Sequence, residues 1–146
     1  MTYPLHVILR YELEQDMLAG RLEVRDLPEA WDAKMRSSLG LSTLDNPKDG
    51  PMQDVHWPAG AFGYFPSYTL GAMMAAQQFD AIRKLHPGVN DSIAAGDFSA
   101  VNDWRRSNIW SIASMKSTPQ IMQDATGEAL NAAYFIAHLK ERYGRG

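Results

Sequence analysis

The longest helical pattern in the chain reads SYTLGAMMAAQQFDAIRKL, from Ser67 to Leu85. The positions that recur at helical spacing through one of its faces are Leu70, Met73, Met74, Gln77, Ala81 and Leu85. The pattern ends at His86-Pro87-Gly88, because proline cannot continue a helix and glycine favours a helix end. The stretch therefore predicts a long amphipathic helix and sets the expected fold class.

Patterns of the same period flank this stretch on both sides. They predict further helices from Pro4 to Ala19, Asp26 to Gly40, Asn90 to Gly96, Ser99 to about Ser114, from Ser117, and from Asn131 to Gly144. Asp26 and Ser117 each precede a Glu or Gln by three residues, which predicts capping boxes. Only residues 53–57 have an extended character. We expect an all-α fold: a single compact helical domain over residues 1–146, with six or seven helices and one long irregular loop rich in aromatic residues.

Composition excludes several classes of function. The 146 residues carry 14 Lys+Arg against 17 Asp+Glu, a net charge of −3, which argues against a nucleic-acid partner. The absence of cysteine excludes disulfides, thiolate zinc sites and a cysteine nucleophile, and it suits a reducing compartment. No apolar run approaches the roughly 18 residues of a membrane span, and residues 1–20 do not resemble a signal peptide. We therefore expect no membrane partner and a cytoplasmic location.

The most informative stretch is the loop over residues 41–67, where frequent proline and glycine prevent a long helix. It brings together candidate site residues of complementary chemistry: Gln53, Asp54, His56 and Trp57, followed by Tyr64 and Tyr68. A carboxylate can hold an imidazole in one tautomer, and a phenol hydroxyl can donate to a developing oxyanion. Equally, the His and Gln could satisfy backbone groups within a buried polar loop. The residues alone leave both interpretations open.

The other histidines give no sign of a metal site. His6, His86 and His138 lie far apart in the sequence, and none forms an HExxH pattern or an i,i+4 pair with another histidine. We expect structural or solvent-exposed roles for these three, and we predict no metal-ligating residue in the chain.

The loop motif carries a resemblance to a known family. Gly50-Pro51-Met52-Gln53-Asp54-Val55-His56-Trp57 resembles the GxxQDxHW signature of the carboxypeptidase Taq family of zinc metallocarboxypeptidases. Four collinear blocks resemble the same C-terminal part of that family: residues 5–12 (LHVILRYE), 26–31 (DLPEAW), 63–71 (GYFPSYTLG) and 125–128 (ATGE). The likeness runs from about Thr2 to Gly144.

The resemblance implies that the chain is the C-terminal, substrate-cleft portion of such an enzyme. The family's HExxH helix, its further Glu ligand and its IRxxAD motif precede this region, and no HExxH portion is present here. The full-length reaction would remove C-terminal amino acids from a peptide substrate by means of zinc-activated water. Zinc or another divalent metal would belong to the full-length family. No cofactor is expected in this chain, which should be inactive by itself.

The same resemblance suggests roles for the loop residues. By likeness, His56 would face the substrate or the tetrahedral intermediate. Tyr68, or with less support Tyr64, would donate to the oxyanion, which makes these three the candidate catalytic residues. Gln53, Asp54 and Trp57 would shape the substrate-binding loop.

The last third of the chain departs from what the family leads us to expect. Apolar residues stand where polar ones are expected, at Ile112, Met115, Met122, Tyr134 and Ile136. Residues 132–137 are apolar nearly all round, so the final helix should be buried or form an interface. These residues either fill a core or make a patch for a partner or for self-association into a dimer or larger. A second function therefore stays open: a non-catalytic helical binding or self-assembly module, natural or engineered, built on this scaffold.

Overall fold

The structure, a computed structural model, describes residues 2–144 and confirms the all-α prediction. The described residues form seven α-helices: α1 (Tyr3–Leu18), α2 (Leu27–Leu39), α3 (Pro66–Leu85), α4 (Val89–Ala94), α5 (Ser99–Arg105), α6 (Thr118–Thr126) and α7 (Ala133–Tyr143). The long irregular loop lies between α2 and α3, as predicted. Within the described residues there is no strand, and part of the stretch with extended character lies in a 3₁₀ turn, Pro51–Gln53.

The helix ends show where local sequence signals succeed and where they fail. Gly40 and Gly127 end α2 and α6 with left-handed φ angles of 69° and 89°, which glycine adopts without steric cost. The capping box between Ser117 and Gln120 is present, as predicted. The one predicted at Asp26 is wrong, because a 3₁₀ turn runs directly into α2 and gives Asp26 a φ of −94° and a ψ of 1°. An N-cap side chain needs extended dihedrals to reach the helix start.

Two C-terminal helices begin or end away from the predicted residues. The helix expected from Ser99 to about Ser114 ends as α5 at Arg105 and continues as a single π-helical turn, Arg106–Trp110. The N-cap of α7 is Ala132 rather than Asn131, although the Asn131 side-chain oxygen still accepts the Ala133 N–H at 2.9 Å.

The chain divides into two compact units, the first of which extends to Thr69. Its core joins α1 to α2 through Leu9, Leu13, Trp31 and Met35, all of which are buried. Trp57 of the long loop packs against this core, with its ring edge-on to Trp31 at a centroid distance of 6.3 Å. The loop is therefore tied to the α1–α2 pair.

The second unit begins at Leu70 and has a core of its own. Ile82 of α3, Val89 of α4 and Trp104 of α5 form its buried centre. Met122 of α6 is also buried, with 1% of its surface exposed, so this apolar residue fills the interior and does not belong to a surface patch. The prediction that residues 1–146 form a single domain stays a prediction.

Helix α7 does not have the burial that its composition predicted. None of its described residues is buried, and Ile136 is 49% exposed. The first alternative, a buried final helix, is therefore wrong, while an interface at this helix stays a prediction. None of the described helices is long and apolar enough to cross a membrane.

Candidate functional site

One face of α1 holds the long loop in place. His6, Arg10 and Glu14 follow one another at intervals of four residues, which places them on the same side of the helix. Arg10 and Glu14 are buried despite their charge, with 4% and 5% of their surfaces exposed. Buried charges need partners, and both residues find them in the loop.

Asp54 is the first of these partners. Its side chain is 1% exposed, and its Oδ2 accepts a hydrogen bond of 2.9 Å from Arg10 Nε. Its Oδ1 accepts the backbone N–H groups of His56 at 2.8 Å and Trp57 at 3.0 Å. The carboxylate therefore joins α1 to the backbone of the two residues that complete the loop motif.

Arg10 is itself held on several sides. Its guanidinium carbon lies 4.6 Å from the ring centroids of both Trp31 and Phe65, and its Nη1 donates to the His6 carbonyl at 3.1 Å. Burial lowers the pKa of Arg10, while the hydrogen bond and the charge of Asp54 oppose that shift. The guanidinium stays a cation at neutral pH, because an arginine side chain does not deprotonate in proteins.

Glu14 provides a second attachment for the loop. Its Oε2 accepts the indole N–H of Trp57 at 2.8 Å, and its Oε1 accepts the Gly63 N–H at 2.6 Å. Glu14 therefore binds the loop at both ends of the segment that separates Trp57 from Tyr64.

The three candidate catalytic residues come together around the His56 imidazole. Its ring stacks on Tyr64, with a centroid distance of 5.4 Å and an interplanar angle of 20°. Phe65 and Tyr68 present their rings nearly perpendicular to it, with centroids at 5.0 Å and 6.0 Å. The Nε2 of His56 lies 3.4 Å from the Tyr68 hydroxyl. The sequence predicted His56, Tyr64 and Tyr68 as catalytic candidates. Phe65 lies in the block 63–71, but no role at the site was predicted for it.

Asp54 acts on His56 differently from what the sequence suggested. The nearest Asp54 oxygen lies 3.8 Å from Nδ1 of His56, which is too far for a hydrogen bond. That Nδ1 is buried and makes no hydrogen bond within the described part of the chain. Because Oδ1 already accepts two backbone N–H groups, Asp54 orients the backbone of His56 and does not bond its imidazole.

The His56 cluster borders a cavity of about 330 Å³. Its lining comprises Tyr3, His6, Arg10, Gln53, Asp54, His56, Phe65 and Tyr68. Desolvation raises the pKa of the Tyr68 hydroxyl, with Tyr64 and Tyr3 adding to the shift, so this phenol is a proton donor at neutral pH. Burial lowers the pKa of His6, and the Arg10 cation adds to that effect, which leaves His6 neutral at pH 7.

The three residues predicted to shape a substrate-binding loop lie in different places. Asp54 and Gln53 both line the cavity, and the exposed Gln53 side chain donates to the Asp49 carbonyl. Trp57 lines a second, apolar groove of about 490 Å³, which Asp54 also borders, together with residues that include Met52 and Phe62. Trp57 thus helps to fix the position of the loop, because its ring packs against the α1–α2 core and its indole N–H binds Glu14.

Sequence reasoning considered His6 only as a possible metal ligand and expected a structural or solvent-exposed role for it, and it singled out none of the other α1 residues that complete this site. Tyr3 and His6 line the cavity, and Arg10 and Glu14 anchor the loop. The four-residue spacing of His6, Arg10 and Glu14 was the available signal, but Glu12 and Asp16 lie on the same helix and weaken it. Neither the burial of Arg10 and Glu14 nor the identity of their partners could be inferred from this spacing.

Within the described residues, no group of three or more His, Asp or Glu side chains is arranged to hold a metal ion. The side chains around His56 therefore do not fit a metal centre. They include hydroxyl, imidazole and guanidinium groups, all of which can donate hydrogen bonds.

Comparison with known proteins gives consistent matches along the chain. Thermostable carboxypeptidase 1 of Thermus thermophilus is 43% identical over 143 residues, and carboxypeptidase 1 of Bacillus subtilis is 39% identical over the same length. Each match covers 98% of this chain but 28% of the relative. The solved structure of Trypanosoma cruzi metallocarboxypeptidase 1 superposes with a TM-score of 0.93 at 46% identity, covering 97% of this chain and 30% of that one.

All three of these proteins are named as carboxypeptidases. A model of the carboxypeptidase Taq (M32) metallopeptidase family matches residues 1–143. The chain therefore belongs to this family, as the loop motif predicted, and it spans about 28% of the length of the curated relatives it matches.

Proposed function

We propose that the chain is the C-terminal, substrate-cleft part of a metal-dependent carboxypeptidase, which removes C-terminal amino acids from peptides. Zinc or another divalent metal would activate the attacking water, with ligands from the part of the family's chain that this sequence does not cover. Family membership supports the reaction class, and peptides are its substrate class. The use of a metal by the full-length enzyme, and zinc as that metal, are part of what we propose.

The observation that carries the proposal for this chain is the His56–Tyr68 pair at the open cavity. The Tyr68 hydroxyl lies 3.4 Å from His56 Nε2, and both side chains line the cavity. An exposed fraction of 41% leaves Tyr68 accessible to a ligand, and its raised pKa keeps it protonated. Two adjacent groups that can donate hydrogen bonds suit a carbonyl oxygen that becomes negative during hydrolysis.

Each residue of the cluster has a distinct proposed role. Tyr68 donates its hydroxyl hydrogen to the oxygen of the tetrahedral intermediate, and His56 Nε2 contacts the same substrate group. Tyr64 packs flat against His56 and limits the orientations of the imidazole, so its hydroxyl is the weaker candidate for the donor. Gln53 and Asp54 border the space in which the end of the peptide lies.

A chimera tests the proposal directly. Residues 1–143 would replace the matching segment of the Thermus thermophilus carboxypeptidase, with which they share 43% identity. We expect the chimera to release C-terminal amino acids from peptides, and the unmodified Thermus enzyme is the control. A chimera that is folded and metal-loaded, yet inactive, would contradict the proposed function.

Substitutions in the chimera then test the individual roles. Tyr68→Phe should lower kcat by roughly 10²- to 10³-fold, as expected for one lost donor to an oxyanion, with little change in KM. His56→Ala should also lower kcat, with a rise in KM if the imidazole also contacts the bound peptide. Tyr64→Phe, the control, should cause a smaller loss. A folded Tyr68→Phe enzyme with near-normal kcat would refute the role of Tyr68.

A second candidate function rests on exposed apolar residues in the C-terminal region. Met115 is 77% exposed and Ile136 is 49% exposed, which supports a non-catalytic module that binds a partner or associates with itself. Peptide hydrolysis by the chimera, lost with Tyr68→Phe, would favour the enzymatic proposal. The cytoplasmic location and the homo-oligomer inferred from the sequence stay predictions.

A further inference from the structure

We propose that Arg10 is a positioning residue for His56, on which it acts through the Asp54 carboxylate. This inference rests on the proposed function of His56. Arg10 lies on α1, in a different segment from the loop motif, and the roles proposed above for the loop residues do not include it.

Contacts on several sides hold the Arg10 guanidinium in one orientation. Its guanidinium is buried between Trp31 and Phe65, at 4.6 Å from each ring, and its Nη1 donates to a carbonyl of α1. Several contacts therefore restrict the direction in which Nε can donate. Because arginine presents its donors in a rigid planar fork, these contacts together define where an acceptor must lie.

The Asp54 carboxylate connects Arg10 to the backbone of His56. Arg10 Nε binds Oδ2, while Oδ1 accepts the backbone N–H groups of His56 and Trp57. Because the two oxygens of a carboxylate belong to one rigid planar group, a change in the donor that holds Oδ2 also displaces Oδ1. The position of the His56 backbone therefore follows from the position of Arg10, although the two residues make no hydrogen bond to each other.

The position of the His56 backbone affects the orientation of its imidazole. His56 Nδ1 has no hydrogen bond among the described residues, so the ring is oriented by its backbone and by its aromatic neighbours. Phe65 packs both on the imidazole and on the Arg10 guanidinium, which links the two side chains through one ring. A displacement of Arg10 should therefore move the imidazole relative to Tyr64 and Tyr68.

The matched control is a second pair of the same kind in the first unit. Asp32 binds Arg36 Nε through Oδ2, and its Oδ1 accepts the backbone N–H groups of Thr43 and Leu44. This pair has the same donor and acceptor groups as Arg10–Asp54 and a similarly buried carboxylate, although the Arg36 side chain is 57% exposed and that of Arg10 is 5% exposed. It holds residues outside the His56 cluster. Asp32→Asn should therefore lower stability without moving His56.

The spectroscopic test measures the His56 ring protons by NMR. The ring currents of Tyr64 and Phe65 should displace the chemical shifts of these protons from their values in an unfolded chain. The size of this displacement reports the position of the imidazole. Arg10→Lys, which keeps the charge but loses the fork, and Asp54→Asn should each remove most of the displacement. The spectra are recorded on the chain once a cooperative thermal melt is established, and otherwise on the chimera. If Arg10→Lys unfolds, Asp54→Asn carries the test, because it leaves the guanidinium between its two rings.

The kinetic test uses the chimera and a double-mutant cycle. Arg10→Lys should lower kcat by up to roughly 10²-fold, the cost that a misplacement of about 1 Å can have, while Asp32→Asn leaves kcat of the folded enzyme unchanged. In a His56→Ala background, Arg10→Lys should cause little further loss, because both changes remove the same contribution.

Two results would overturn the inference. One is an unchanged His56 spectrum in a folded Arg10→Lys or Asp54→Asn variant. The other is an equal spectral change in Asp32→Asn, which would indicate a general loosening of the unit. Failure of the proposed function is a separate result: His56→Ala would keep a normal kcat, and the NMR comparison would still decide whether Arg10 positions the ring.

Discussion

Replacing Gln77 should destabilise the second unit more than any exposed polar substitution in it. Gln77 lies in α3 with 1% of its surface exposed. Its Nε2 donates to Thr126 Oγ1 at 2.8 Å and to the Ala129 carbonyl at 3.1 Å, and its Oε1 accepts the Asn131 N–H at 2.9 Å. One side chain thus satisfies the backbone of the segment that connects α6 to α7.

The size of the effect follows from the groups that lose their partners. Gln77→Leu keeps a similar volume but leaves the Asn131 N–H and the Ala129 carbonyl without the bonds they make here. The Ala129 carbonyl belongs to an exposed residue and Asn131 is half-buried, so water can replace part of what the two groups lose. An unsatisfied buried polar group costs about 1–3 kcal/mol, and we expect these two partly buried groups together to give a loss of about 1–3 kcal/mol. A typical domain is stable by roughly 5–15 kcal/mol, so a loss of this size is readily measured.

Gln77→Glu separates hydrogen bonding from volume. A carboxylate can still accept the Asn131 N–H, but it would face the carbonyls of Glu128 and Ala129, to which the amide now donates. Burial and these carbonyls should raise the pKa of the introduced acid above its unfolded value. The stability of this variant should therefore be higher at low pH, where the acid is protonated, and fall as the pH rises through the folded pKa.

Urea unfolding followed by circular dichroism measures these changes. The control is Gln78→Leu, since the neighbouring Gln78 is half-buried and, among the described residues, its side chain makes a single hydrogen-bonding contact, at 3.7 Å to the Met122 sulfur. We expect that variant to unfold within about 0.5 kcal/mol of the unmodified chain, as a substitution without such buried partners does. A Gln77→Leu variant equally close to the unmodified chain would refute the reasoning.

Two further predictions concern pH and association. Asp32, whose pKa is lowered mainly by the hydrogen bond from the Thr43 N–H and also by Ser42 and Arg36, should contribute stability that is present above about pH 4 and lost as the pH falls through its folded pKa. Thermal melts at several pH values should show this loss in the unmodified chain and a weaker one in Asp32→Asn; equal profiles would contradict it. The chain should form a dimer or larger at micromolar concentration, which Ile136→Glu should weaken because that residue is 49% exposed on α7. Light scattering that gives a monomer mass at high concentration would exclude this association.

Local sequence determined the helical content and several helix ends. The 3.6-residue period of apolar side chains is a property of neighbouring residues, so α3 and the other helices could be predicted without tertiary contacts. Gly40 and the Ser117 capping box act within one helical turn, and both lie where the sequence indicated. Gly127 ends α6 by the same local means, although no end was predicted for that helix. The loop motif and its flanking blocks also identified the family and the candidates His56, Tyr64 and Tyr68.

Where a signal depended on its surroundings, the sequence was less informative. Asp26 has the right residue type for a capping box, but the 3₁₀ turn before it sets its backbone dihedrals. Met122 stands where the family resemblance leads us to expect a polar residue, and the sequence left a core and a surface patch open, but the residue is buried. Helix α7 looked apolar enough for a core, but no described residue of it is buried.

Only the tertiary structure decided how the site is held together. Arg10 meets Asp54 across 44 residues, and Glu14 meets the Trp57 indole across 43. Neither partner can be inferred from spacing, because the path of the loop between α2 and α3 decides which carboxylate reaches the guanidinium and which donors reach Glu14. The same path brings Phe65 against both Arg10 and His56. The sequence by itself therefore determined which residues could do chemistry, while the long-range pairing of buried charges determined where the His56 imidazole lies.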